Sequence, residues 1–376
     1  MKNGWKGMAV GEILQLEYGK PLDESDRKPN GRFPVYGANG EKDRTDRFYH
    51  EKPSIIVGRK GSAGEINLTE KKFWPLDVTY FVTFDEKRHD LRFLYYLLVT
   101  LDLPKLAKGV KPGINRNEVY SQVARVPPLP EQQRIVRMLD EACEGIATAK
   151  VNAEKNLQNA RALFESHLQS VFTQRGLGRE RVQIEDVCES IMDCVNKTAP
   201  KVDAPTPFKM IRTTNVRNGR VDLESVNHVT EDVYRIWTRR QVPKRGDVIL
   251  TREAPMGEVG MLLSDDKVFL GQRLVSYRAN PMKLNNRFLL YALQSADLQG
   301  QIHGFASGST VQHMRVPDSK KLQLPHPDLK EQERAVVTLD TVREESQRLA
   351  IVYERKLTAL EALKKTLLHQ AFTGKL

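Results

Sequence analysis

The segment Gly58-Arg59-Lys60-Gly61-Ser62-Ala63-Gly64 sets two cations among three glycines. Such a loop suits an anion, because glycine lets the backbone approach closely while the side chains supply charge. Arg252, within Thr251-Arg252-Glu253-Ala254-Pro255-Met256-Gly257-Glu258, holds the matching place in the second half of the chain. A second basic loop sets Lys108, Lys111, Asn115 and Arg116 around Gly109 and Gly113. Its counterpart, Gly308–His313 with Thr310 and Gln312, is polar rather than basic. These residue types hold phosphates; they do not break bonds. The lysine–hydroxyl pair of a nucleotide-cradling loop is missing from Gly58–Gly64, and neither His-Glu-x-x-His nor Gly-x-Ser-x-Gly occurs. Eight histidines and three cysteines (Cys143, Cys188, Cys194) show no metal-ligand spacing. The sequence therefore predicts a binding protein without a catalytic, cofactor or metal site of its own.

Composition points the same way. Lys and Arg number 59 against 48 Asp and Glu, a formal net charge of +11 over 376 residues. An excess of cations favours a polyanionic partner, since neutralising phosphates releases condensed counterions. The longest largely apolar run, Phe93 to Leu101, falls well short of the roughly 20 residues that span a bilayer. The opening Met1-Lys2-Asn3-Gly4-Trp5-Lys6 lacks the apolar stretch of a secretory signal. A cytoplasmic location without membrane partners is the expectation.

The elements that must position the loops repeat. Residues 131–173 and 331–373 align without a gap at an offset of 200, with 14 identities in 43 positions. In both copies, small or apolar residues at 139, 142, 146, 149, 153, 157, 160 and 163, and at the same positions plus 200, recur at spacings near three and four, the seam of a coiled coil. Pro127-Pro128-Leu129-Pro130 marks one start, and Asp328, three residues before Glu331, caps the other; Gly176 and Gly374 mark the ends. The segments before each helix mix glycine and proline with short β-prone runs such as Ser54–Val57, Val78–Val82 and Asp247–Leu250, and each carries an apolar helical patch, Phe93–Leu98 or Phe288–Leu293. The expected fold is α+β: two globular domains, 1–126 and 177–326, separated by two long helices, 127–176 and 327–376. The helices would form an antiparallel coiled coil, giving a pseudo-two-fold internal repeat with the globules at opposite ends. Two dissimilar heads on one symmetric frame suit an asymmetric target in duplex DNA, whose grooves recur each helical turn.

At this point specific residues carry a resemblance. They are Pro128-Leu129-Pro130-Glu131-Gln132-Gln133-Arg134-Ile135-Val136, its copy Leu329-Lys330-Glu331-Gln332-Glu333-Arg334-Ala335-Val336, and the closing Gln370-Ala371-Phe372-Thr373-Gly374-Lys375-Leu376. The first globule adds Pro34–Gly40, Ile55–Gly61 and Phe73–Thr79; the second adds Leu250–Glu258, Gly271-Gln272-Arg273 and Gly308–Met314. Together they resemble the DNA-specificity subunit of a type I restriction–modification system over essentially the whole chain. One departure is Asp77-Val78-Thr79, where many relatives have Asp-Thr-Thr. The resemblance implies that each globule, as a target-recognition domain, reads one half of a bipartite double-stranded DNA sequence. It implies that the helices set the unspecified gap and dock two modification (methyltransferase) subunits, joined by restriction (translocase/nuclease) subunits in systems that have them. Adenine methylation from S-adenosylmethionine, and cleavage driven by ATP with Mg, would belong to those partners.

On duplex DNA, phosphate contacts position a protein and base-edge contacts give specificity. Asn and Gln can bind adenine in two points and Arg guanine likewise. The candidates are Tyr36, Asn39, Arg59, Lys60, Lys111, Asn115 and Arg116 in the first globule, and Asn215, Arg252, Gln272, Arg273, Thr310 and Gln312 in the second. Glu131, Gln132 and Arg134, with their copies Glu331, Gln332 and Arg334, open the long helices, where they either cap the helix or dock the modification subunits.

Overall fold

The computed structural model describes residues 4–173, 180–195, 197–306 and 312–376. The chain divides into two compact units, one of Met1–Lys155 with Glu354–Leu376 and the other of Asn156–Tyr353. Both cuts fall inside the long helices, not at the expected domain edges near 126 and 326. The reason is packing: each domain buries itself against the start of the helix that follows it and the end of the other helix.

In the first unit a four-stranded antiparallel sheet runs in the order Leu14–Tyr18, Thr79–Phe84, Ser54–Gly58, Ile66–Thr69. Ser54–Gly58 is buried along its whole length, as an uninterrupted Ile-Ile-Val run in an inner strand requires. Phe33–Gly37 pairs antiparallel with Gly40–Thr45 and parallel with Trp74–Pro75. Lys6–Ala9 pairs with Val123–Val126 and so ties the two ends of the domain together. The helix Leu91–Thr100 begins at Asp90, whose carboxylate accepts from the amides of Arg92 and Phe93, and buries Phe93, Leu94, Leu97 and Leu98 in the core.

The second unit is built on the same plan. Cys188–Asp193, Leu274–Ala279, Val248–Arg252 and Met256–Met261 follow one another in the same order and sense. Phe208–Ile211 again lies between an antiparallel strand, Asn227–His228, and a parallel one, Lys267–Leu270. Arg181–Gln183 and Gln323–Pro325 close the domain, and Asn285 caps the helix Asn286–Gln294. One addition is specific to this unit: Val216–Arg217 and Gly219–Val221 extend the large sheet to six strands.

The long helices are Leu129–Phe172 and Leu329–Phe372. Asp328 caps the second by accepting from the Glu331 amide at 2.8 Å, and Gly374 closes it at φ +73°; Gly176 lies outside the described residues. In the first unit Ile135, Val136 and Leu139 share a core with Leu368 and Ala371, and Lys150 pairs with Glu361. In the second, Leu168 and Phe172 share a core with Val336 and Leu339, while Ser346 Oγ donates to the Ala160 carbonyl. Rising numbers on one helix meet falling numbers on the other, so the pairing within each unit is antiparallel. The expected seam holds at Leu139, Ala153, Ala160, Leu339 and Ser346, all buried. It fails at Leu163 and Leu363, which are 45% and 46% exposed. There the buried positions move to Phe164, Leu168 and Leu368, because the helix now packs against a domain as well as against its partner helix.

Candidate nucleic-acid interface

Each domain is keyed to its helix by one set of contacts, used twice. Gln132, 1% exposed, accepts from the Asp90 amide at 2.9 Å and donates to the carbonyls of Arg88 (3.0 Å) and Pro127 (2.9 Å). Gln332, fully buried, accepts from the Asn285 amide at 2.8 Å and donates to Lys283 (3.1 Å) and Pro327 (2.9 Å). Farther along the helices, Asp140 accepts from the Tyr96 hydroxyl at 2.6 Å and pairs with Arg92, and Asp340 does the same with Tyr291 and Arg287. Burial and the facing carboxylate push both tyrosine hydroxyls up, which keeps them protonated as donors. Phe93 stacks on Phe372 and Phe288 on Phe172, each pair at 5.1 Å. Gln132 and Gln332 are therefore not presented to a partner subunit; they hold the domain on the helix. The signal for this was in the chain, since Arg92-Phe93-Leu94-Tyr95-Tyr96 recurs as Arg287-Phe288-Leu289-Leu290-Tyr291. Of the other helix-opening residues, Arg134 binds Glu131 at 2.7 Å and the Leu376 carbonyl at 3.2 Å, and Glu331 and Arg334 are exposed.

In the first domain this frame brings the two basic loops side by side. The Arg59 amide donates to the Val78 carbonyl, the Ile114 amide to the Arg59 carbonyl, and the Gly61 amide to the Pro112 carbonyl, with Lys60 and Gly113 bridged. A Cβ on Gly58 would stand 2.1 Å from the Ser62 carbonyl oxygen and 2.5 Å from that of Ala38, so only glycine lets the Gly37–Gly40 hairpin tip, with its exposed Asn39, abut the same loop. The Arg59 guanidinium lies 4.9 Å from the Tyr18 ring, and Arg116 lies 5.0 Å from the same ring. Tyr80 stands 5.1 Å behind Tyr18, its hydroxyl pushed up by burial and by its neighbour. Lys60 and Lys111 are exposed alongside, while Lys108 is paired with Glu118. The result is a cationic surface whose two arginines are held against one aromatic ring.

Tyr18 was not among the sequence candidates. Alternation along Leu14–Tyr18 assigns it to the inward row with Leu14 and Leu16, but at the strand's end, beside Tyr80, the ring is 44% exposed. Two candidates, the exposed Asn115 and the half-buried Tyr36, also serve the fold. The Asn115 side-chain carbonyl caps the helix Arg116–Tyr120 by accepting from the Asn117 amide, and the half-buried Tyr36 ring packs edge-on against Phe73.

The second domain repeats the backbone contacts that Arg59 and Lys60 make in this junction. The Arg252 amide donates to Arg273, the Met314 amide to the Arg252 carbonyl, and Glu253 bridges to His313. Arg252 is thus the counterpart of Arg59. Strand registers and helix caps extend the match: Lys60 corresponds to Glu253, Tyr18 to Asp193, Tyr80 to Val275 and Asn115 to Arg315. Here the charges cancel locally. Arg273, at φ +71°, reaches Glu253 at 3.3 Å; Arg315 pairs with Asp318 and Arg240 with Asp193. Arg252 donates to the Met314 carbonyl at 2.9 Å, and Gln272 and Gln312 are exposed. Asn215 is a correction: it is buried, accepts from the Arg212 amide and donates to the Ser225 carbonyl, and so builds its own loop. Thr310 lies outside the described residues.

Comparison with known proteins gives a family match, two relatives and one likeness in fold. Residues 2–157 and 178–352 match the family described as Type I restriction modification DNA specificity domain. The chain is 25% identical over 349 residues to S.HindORF215P of Haemophilus influenzae, covering 85% of this chain and 86% of that protein. It is 21% identical over 400 residues to the type I restriction enzyme MjaVIII specificity subunit of Methanocaldococcus jannaschii, covering 99% and 93%. In fold it is similar to a chain from a structure of complex assembly and conformational transition in the type I R-M system, with a TM-score of 0.76 at 18% identity over 100% of this chain and 99% of that one.

Proposed function

The chain belongs to the type I restriction–modification DNA specificity family, and from that premise we propose that it selects the DNA sequence on which the assembled system acts. Each domain reads one half of a bipartite duplex target, and the antiparallel long helices set the unspecified gap between the halves. One observation carries this reading: the two domains share topology and loop junction yet differ in the side chains they present there. Arg59 and Arg252 are alike, whereas Lys60, Tyr18 and Asn115 correspond to Glu253, Asp193 and Arg315. A common frame with dissimilar reading surfaces is what an asymmetric target requires, because base-edge discrimination resides in side chains while the backbone only sets approach.

The chain contributes recognition and no chemistry. Two modification subunits bring S-adenosylmethionine and methylate adenine; restriction subunits bring ATP- and Mg-dependent translocation and cleavage. They dock on exposed faces of the long helices, with Glu331 and Arg334 among the contacts, in the cytoplasm where the DNA lies. Among the described residues no helix is long and apolar enough to cross a membrane.

The test is an exchange of residues 180–326 for the corresponding domain of another family member. Selection of bound sequences from a random duplex pool by the assembled complex should then show one half of the target changed and the other unchanged. A change in both halves would overturn the reading.

A further inference from the structure

The extra hairpin of the second domain carries an arrangement that folding alone does not favour. In the first domain, two residues link Phe33–Gly37 to its antiparallel neighbour; in the second, residues 212–226 intervene between Phe208–Ile211 and Asn227–His228. This insertion forms the hairpin Val216–Val221, which turns at Asn218 (φ +53°) and Gly219 (φ +78°), the left-handed pair that Asn-Gly supplies for a two-residue turn. Arg217 and Arg220 face each other directly across it. Both are exposed, and among the described residues neither has a carboxylate within ion-pair distance. Directly opposed like charges weaken a strand pair, so an anion held between the two guanidinium groups would strengthen this hairpin.

The turn is also fixed in place. Arg343 of the long helix donates to the Asn218 carbonyl at 3.0 Å, with its guanidinium 5.0 Å from the Phe164 ring and 5.6 Å from that of Tyr291. Glycine at 219 suits the φ of +78° and lets Arg343 sit close, since a Cβ there would stand 2.6 Å from its Nη2. A short hairpin anchored to the rigid helix and tipped by two unpaired guanidinium groups is a pre-organised phosphate contact. We propose that Arg217 and Arg220 clamp the phosphate backbone of the DNA bound by the second domain and supply the charge that its internally paired recognition loops lack. The proposal rests on the DNA-specificity reading, and it assigns these two residues a sequence-independent role.

The test is binding of the full-length chain to a mixed-sequence duplex over a range of salt. With a log–log slope of about 0.9 per phosphate neutralised, losing one contact costs about eightfold in affinity at 0.1 M salt. Arg217→Ala and Arg220→Ala should each weaken binding by that factor and flatten the slope by about 0.9, equally on every sequence; Arg217→Lys should keep the slope. Thermal stability should hold or rise, since a repulsion is removed. Alanine variants with the wild-type slope would overturn the clamp while leaving the specificity reading intact. A wild-type chain whose duplex binding is absent or indifferent to salt would overturn that reading and the clamp with it.

Discussion

Replacing Gln132 with leucine, a side chain of similar size, would separate an anchoring residue from a docking one. The substitution strips partners from three backbone groups at once: the Asp90 amide, the Arg88 carbonyl and the Pro127 carbonyl. A buried polar group left unpaired costs about 1–3 kcal/mol, and Gln132 is almost wholly buried. Taking the lower half of that range, about 1–2 kcal/mol, for three groups gives about 3–6 kcal/mol. For a unit of this size 1 kcal/mol moves the melting temperature by about 2–4 °C, so the expected drop is on the order of 10 °C. Neighbouring Gln133 is exposed, and Gln133→Leu should stay within about 0.5 kcal/mol of wild type. Differential scanning calorimetry of the two variants, with Gln332→Leu as the equivalent change in the second unit, reads the outcome directly. A Gln132→Leu chain that melts with the wild type but fails to assemble with modification subunits would refute the anchoring argument.

Two further outcomes are expected. Tyr18→Ala should release both Arg59 and Arg116 from their shared ring, weakening duplex binding by roughly 1–2 kcal/mol, with the loss falling on one half-site; Tyr18→Phe, which keeps the ring face, should bind as wild type in a fluorescence-anisotropy titration. Acidification should destabilise the first unit: burial holds the His89 imidazole below its ordinary 6.5, with Nδ1 unpartnered, and His50 shifts in the same direction. The unfolded chain therefore takes up protons first, and the stability present above pH 6.5 is lost as pH falls through and below that value. Denaturant midpoints that do not change between about pH 7.5 and 5.5 would contradict this.

Much was legible in the residues themselves. The gapless repeat of residues 131–173 at 331–373, its three–four stripe and the Asp328 cap specify two long helices, because local periodicity and end-capping are written within a few residues of where they act. The strand at Ser54–Gly58, read as the β-prone run Ser54–Val57, and the match of Arg252 to Arg59 followed from pattern and order in the same way. What tertiary structure alone decided is how distant segments share space. Gln132 and Gln332 read as helix-opening surface residues until carbonyls at 88 and 127, and at 283 and 327, close over them. Tyr18, in line with Leu14 and Leu16 and paired with Tyr80, reads as core until packing leaves its ring 44% exposed, and Leu163 as seam until the helix turns Phe164 to a domain instead. Burial depends on what arrives from elsewhere in the chain, so a side chain's neighbours in sequence determine its secondary structure, while its exposure, its partners and its use are determined by packing.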